Sequence, residues 1–171
     1  FHIGKQQTRE AMLAKRAIEN RIFVSYTNLV GGQDELVFDG ASVIFNPTGD
    51  IVSRGKQFNE ELIVADLDIE SSQEPRPPVN NSIQDPMRPS DGLCSSTTTK
   101  VSAFSPASSP LLPIFKPTLL PDLAQVYEAL VLGTRDYVLK TGFKKILVAL
   151  SGGIDSSLVA TVGVDALGAD N

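Results

Sequence analysis

The segment Leu150-Ser151-Gly152-Gly153-Ile154-Asp155-Ser156-Ser157 brings two glycines, one carboxylate and three hydroxyls into eight residues. A continuous apolar run, Ile146 to Leu150, precedes it, and Leu158, Val159, Val162 and Ala166 follow at helical spacing. The pattern predicts a buried strand that turns through glycine into a helix whose inward face those four residues form. Such a junction aims backbone N–H groups and the positive end of a helix dipole at one spot, which suits phosphate oxygens. Gly152 and Gly153 carry no Cβ, so an anion can approach the main chain. Ser151, Ser156 and Ser157 add hydroxyl donors. Asp155 reads as the carboxylate of a first helical turn or as a ligand that places Mg²⁺. No lysine follows the glycines as a Walker A loop requires, and G-x-G-x-x-G is absent, so neither of those phosphate loops is present. An ordinary strand–helix junction with a serine cap would use the same residue types.

The elements that must position this loop begin at Pro121, which suits a first helical turn. Val126, Leu130, Val138 and Leu139, with Tyr127 and Tyr137, predict a helix broken or kinked near Gly133 and ended by Gly142. Upstream the chain changes character. Nine of its 11 prolines fall between Ser71 and Thr118, with serines and threonines filling the gaps. That composition predicts a long linker, partly polyproline-like, in which Leu111, Leu112, Ile114 and Phe115 could pack on a neighbour. Cys94 lies inside it, where no scaffold would hold a base beside the thiol.

The first 70 residues predict a second ordered unit. Residues 6–21 read as a helix with Met12, Leu13, Ala17 and Ile18 on one stripe. Ile22 to Val30 reads as a strand, Gly31 to Glu35 as a loop, Ala41–Phe45 and Ile51–Arg54 as a hairpin turning through Asn46-Pro47-Thr48-Gly49-Asp50, and Leu62–Leu67 as a further strand. The expected domains are therefore 1–70, a Pro/Ser-rich linker 71–118, and 119–171.

Composition limits the partners. A net charge of −5 and a pI near 4.8 argue against nucleic acid or an anionic membrane as a main partner. No apolar run approaches the roughly 18 residues that span a bilayer. One cysteine can form no internal disulfide, which fits a reducing compartment, and one cysteine with one histidine cannot build a structural zinc site. Phe1-His2-Ile3-Gly4-Lys5 has no signal-peptide character, and both chain ends read as those of a piece of something longer.

Ser151-Gly152-Gly153-Ile154-Asp155-Ser156 resembles the pyrophosphate loop of the N-type ATP pyrophosphatases, ligases that adenylylate a substrate oxygen. Phe1 to Lys5, Val30-Gly31-Gly32-Gln33-Asp34-Glu35-Leu36-Val37-Phe38-Asp39-Gly40 and Val64-Ala65-Asp66-Leu67-Asp68 resemble the C-terminal half of a nitrilase-type glutamine amidotransferase. The two together are the layout of the glutamine-dependent NAD synthetases; GMP and asparagine synthetases use other glutaminase domains. The implied fold is α/β: the C-terminal part of a nitrilase-like αββα sandwich, the linker, and the start of a doubly wound parallel-sheet domain of the adenine nucleotide alpha hydrolase type.

The resemblance implies a ligase that makes NAD from deamido-NAD with ATP and Mg²⁺, drawing ammonia from glutamine. It implies a cytoplasmic homo-oligomer. It assigns ATP to Ala149, Leu150, Ser151, Gly152, Gly153, Ile154, Asp155 and Ser156, with Asp155 also a candidate metal ligand. The family usually has glycine at the position of Ala149, a difference of one methyl. Lys5 matches a glutamine-contacting position, and is equally a solvated lysine ahead of a helix. His2 reads as scaffold. The family's Glu–Lys–Cys triad and its Ser-Pro pair match nothing here, so this chain alone is expected to be inactive. Gly31 to Gly40 is placed near the domain interface, or else is an ordinary surface loop. A stand-alone carbon–nitrogen hydrolase and an inactive truncated product are the alternatives.

Overall fold

The computed structural model describes residues 1–69 and 112–171. Most of the expected linker, with Leu111 and Cys94, lies outside the described residues. The order is α1 (Lys5–Asn20), β1 (Val24–Tyr26), β2 (Val30–Gln33), β3 (Leu36–Asp39), β4 (Val43–Phe45), β5 (Ile51–Arg54), α2 (Asp122–Lys140) and α3 (Ile154–Leu167).

The α1 helix lies on an antiparallel sheet of order β1-β4-β5. Leu13 and Ala17 enter a core with Val43 and Phe45, while Met12 and Ile18, expected on the same stripe, are about half exposed. The apolar stripe is therefore narrower than its residue types implied. The β4–β5 hairpin turns where expected: Asn46 Oδ1 accepts from the backbone N–H of Thr48 and Asp50, an Asx arrangement that holds the reversal. Two ion pairs brace α1 from beneath. Glu10 grips Arg54 through two bonds of 2.7 and 2.8 Å, and Arg9 reaches the buried Asp39 at 3.2 Å.

Three expectations fail here. The expected strand from Ile22 to Val30 is two strands in different sheets, β1 pairing with β4 and the start of β2 pairing with β3. The expected loop Gly31–Glu35 is mostly strand: Gly31 pairs with Phe38 and Gly32 with Val37 in a hairpin that turns at Asp34, whose φ is +51°. Primed hairpin turns need such a positive φ, and aspartate tolerates it. Leu62–Leu67 forms no strand among the described residues: Leu62 is 88% exposed and no described strand pairs with the segment.

The helix α2 runs unbroken through Gly133 to Lys140, and Gly142, whose φ is +87°, follows its cap Thr141. Its buried face, Ala129 and Leu132, packs with Phe58 into a second core that Phe1, Val30, Val37 and Leu120 complete. Residues 112–120 approach the first unit by backbone more than by side chain. The carbonyl of Phe115 accepts from Arg54 N–H and from Ser53 Oγ, and Leu120 N–H donates to Gln57 Oε1. The side chain of Ile114 is largely exposed, and those of Leu112 and Phe115 a little under half, the Phe115 ring lying beneath the Lys56 ammonium.

The expected buried strand Ile146–Leu150 does not form among the described residues. It has no regular secondary structure and pairs with no described strand, and Leu147 is wholly exposed. A strand exists only through a hydrogen-bonded neighbour, so its apolar sequence alone could not create one. Ile146 does reach α3, where its Cδ1 occupies the space a Cβ on Gly163 would need. Of the expected inward face of α3, Val162 and Ala166 are buried, whereas Leu158 and Val159 are about half exposed.

Candidate functional site

The glycine–serine loop folds as a turn leading directly into α3. Gly152 has φ +83°, a conformation side-chain-bearing residues rarely adopt, and Gly153 is the N-cap in extended conformation. No side chain caps the helix. The amides of Ile154, Asp155 and Ser156 belong to the first turn, where no intrahelical carbonyl reaches them. The hydroxyls instead organise the loop itself. Ser151 Oγ and Ser156 Oγ lie 3.1 Å apart, and Ser156 and Ser157 both donate to the Gly153 carbonyl, at 3.0 and 2.9 Å. Space around the glycines is open: a Cβ on Gly152 would meet nothing within 4 Å. The loop is thus a pre-shaped, uncapped, solvent-facing helix N-terminus.

Asp155 sits in the first turn of α3 and is exposed. Among the described residues no group of three or more His, Cys, Asp or Glu side chains gathers around any point, so Asp155 belongs to no closed cage of protein ligands. Such a ligand suits a Mg²⁺ shared with phosphate oxygens better than a closed protein cage. Ala149 and Leu150 lead into the loop from the segment before it, and Leu150 is exposed.

Lys5 lies elsewhere. It opens α1, exposed, on the unit whose helix packs against β1 and β4, while α3 packs on α2. His2 Nδ1 donates to the Ile3 carbonyl at 2.7 Å and joins no catalytic grouping.

Sequence reasoning missed the contact between the two units. Gly32 N–H donates to Asp136 Oδ2 at 2.8 Å, Lys140 Nζ donates to the Gly32 carbonyl at 2.6 Å, and Lys140 and Asp136 pair at 3.3 Å. Burial pushes the Asp136 carboxyl up, but the Gly32 amide and then the bond and charge of Lys140, helped by Arg135, outweigh it and hold it below its ordinary 3.8. Gly133 explains itself here: a Cβ on Gly32 would lie 3.0 Å from Gly133 Cα, so the helix glycine permits close approach and does not kink. The i,i+4 spacing of Asp136 and Lys140 was visible, though it reads equally as a solvated pair. A cleft of about 350 Å³ beside the contact is lined by Gly31, Glu60, Arg135 and Asp136. On the far side of α2, the Tyr127 hydroxyl bonds Asp165 of α3; that bond raises its pKa.

Residues 3–77 match the carbon-nitrogen hydrolase family and residues 126–171 match NAD synthase. The chain therefore joins a hydrolase unit to a synthase unit, the loop standing in the second. Whole-chain similarity narrows the class. The chain is 41% identical over 174 residues to the glutamine-dependent NAD(+) synthetase of Aquifex aeolicus, covering 100% of this chain and 29% of that protein. It is 37% identical to that of Thermotoga maritima, with the same coverages. The solved glutamine-dependent NAD⁺ synthetase of Acinetobacter baumannii in complex with ADP superposes with TM-score 0.69 at 32% identity, covering 99% of this chain and 25% of that one. The chain belongs to the glutamine-dependent NAD(+) synthetase family, and spans between a quarter and under a third of the length of these relatives. Among the described residues no helix is long and apolar enough to cross a membrane.

Proposed function

We propose that this chain is the central segment of a ligase that converts deamido-NAD to NAD, adenylylating the carboxylate with ATP and amidating it with ammonia released from glutamine. The observation that carries the reading is the uncapped, glycine-open N-terminus of α3, preceded in the same chain by a hydrolase unit. Backbone amides of Ile154, Asp155 and Ser156, with the hydroxyls of Ser151 and Ser156, hold phosphate oxygens of ATP. Ala149, Leu150, Gly152 and Gly153 shape their approach. Asp155 helps hold Mg²⁺, which supplies charge neutralisation on the phosphates when bound. A carboxylate is a poor electrophile, and adenylylation gives it a leaving group. The relative solved with ADP supports an adenine nucleotide in this fold.

In this reading residues 1–70 belong to the glutaminase unit, 71–118 link the units and 119–171 open the synthetase unit. Lys5 contacts glutamine. The chemistry that hydrolyses glutamine needs groups beyond this chain's residues, so the 171-residue chain alone is inactive. The whole protein works as a cytoplasmic homo-oligomer with no nucleic-acid or membrane partner.

The test is NAD formation by the full-length protein from deamido-NAD, ATP and Mg²⁺, with glutamine or ammonium as nitrogen source. NAD from both is expected. NAD from neither overturns the assignment. Glutamate release by the isolated 171-residue chain would overturn its inactivity.

A further inference from the structure

The β2–β3 hairpin packs on α2, and one residue of its β2 edge is bonded to the helix through both main-chain groups. In this register Gly32 stands opposite Val37, the pair next to the turn-flanking Gln33–Leu36 pair, and both its main-chain groups point away from β3. Helix α2 satisfies both with side chains one turn apart: Asp136 takes the N–H and Lys140 the carbonyl. The two charges also pair with each other, closing a ring around one peptide position. Glycine is needed on both sides, because a Cβ on Gly32 would press on Gly133 Cα at 3.0 Å and one on Gly133 would meet Val37 at 3.2 Å.

A contact between backbone groups and opposed charges fixes translation as well as distance. A helix that slid by one residue would present neither charge to Gly32 and would leave part-buried main-chain groups without partners. An apolar patch alone, such as Phe58 with Ala129 and Leu132, tolerates small slides. The same helix carries α3 on its other side, bonded through Tyr127 to Asp165, and α3 begins at the glycine–serine loop. The chain thus runs from hydrolase hairpin to phosphate loop through one registered helix.

We propose that Asp136 and Lys140 are positioning residues. They fix the hydrolase unit against the helix pair that bears Ser151 to Ser156, so that ammonia released in one unit is used in the other. This rests on the function proposed above. Breaking the clamp separates the two chemistries without disabling either.

The experiment compares wild-type full-length protein with Asp136→Asn and Lys140→Met. Three quantities are read: NAD formation from ammonium, NAD formation from glutamine, and glutamate released per NAD formed. The variants should keep the ammonium-driven rate and its KM, while glutamate released per NAD rises by about 2- to 30-fold, the range that residues along a coupling route command. Exchange of the Gly32 amide in the 171-residue chain should quicken in both variants. An unchanged glutamate ratio with a deprotected Gly32 amide overturns the proposal, since the clamp would then be broken without consequence. Equal loss of the ammonium-driven and glutamine-driven rates in both variants also overturns it, because the pair would then hold the fold and not the register. A wild-type protein that makes no NAD from ammonium sinks the underlying function instead, and is recognised before any variant is compared.

Discussion

Two glycine pairs in this chain, Gly31-Gly32 and Gly152-Gly153, look alike in sequence and are used in opposite ways. The first is filled. A Cβ on Gly31 would lie 3.1 Å from Asp136 Oδ2, and one on Gly32 would lie 3.0 Å from Gly133 Cα. The second is open: nothing stands within 4 Å of a Cβ on Gly152, and only Ser151 Oγ, at 3.5 Å, near one on Gly153. Close packing consumes the space at the first pair. At the second, the space next to a helix N-terminus is kept free. A glycine pair thus marks a place where something approaches the main chain. Whether the approaching group is the protein's own helix or a ligand is decided by what the fold brings up to it.

The largest expected effect falls on the open pair. Gly152→Val puts a branched residue at φ +83° and displaces the turn that aims the α3 amides. Ammonium-driven NAD formation by the full-length protein should fall by about 100-fold, the loss typical of a reacting group misplaced by an ångström. Glutamate release from glutamine should survive, since the other unit is untouched. Steady-state assays of both reactions decide it; an unaltered synthetase rate would mean the loop holds no phosphate.

The filled pair predicts a stability effect. Gly32→Ala drives a methyl against helix backbone that cannot give way as a flexible side chain would. Overpacking of this kind costs about 1–3 kcal/mol. Urea unfolding of the 171-residue chain, followed by circular dichroism, measures it. A change near zero would mean α2 does not seat on the hairpin in solution.

A smaller effect follows from the clamp's charge. The folded-state pKa of Asp136 is depressed, so its contribution is fully present above the ordinary value of 3.8 and fades as pH falls through the lower folded value. Arg135 and Lys140 on its own helix and Glu60 across the cleft are the charged groups that share its surroundings. The carboxyl carbon of Asp136, followed by NMR, should titrate below about pH 4 in the 171-residue chain. In Lys140→Met the midpoint should rise. An identical midpoint in that variant would show that Lys140 lends the carboxylate nothing.

The sequence carried much of this comparison unevenly. The helix α1 and the β4–β5 hairpin were legible because their periodicity and turn residues act locally: Leu13 and Ala17 recur at helical spacing, and Asn46 supplies its own turn bond. The loop from Ser151 to Ser156 was legible because its glycines and hydroxyls are consecutive and organise one another. Gly31-Gly32 reads as loop because glycine lowers strand propensity, and what makes it a strand is pairing with Val37 and Phe38, a partner no local rule supplies. Gly133 reads as a kink for the same reason: its cause is a residue 101 positions away in the chain, Gly32. Ile146–Leu150 erred in the other direction. Its apolar run specifies a wish to be buried, and among the described residues no strand lies beside it.

The smallest structural effect is the most discriminating. Gly153 has an extended backbone that any residue adopts, φ −85°, and a methyl there would make only ordinary contact with Ser151 Oγ. Alanine is a clearly poorer N-cap than glycine, so Gly153→Ala should cost the 171-residue chain about 1 kcal/mol by urea unfolding. If Gly153 served the fold alone, the synthetase would hardly notice. If the space over it is where phosphate oxygens reach the α3 amides, the methyl occupies that space, and the KM for ATP should rise well beyond what the stability change explains. A raised KM with near-native stability separates a kept-open glycine from a filled one. An unchanged KM would remove Gly153 from the site and leave Gly152, with its positive φ, as the glycine the loop requires.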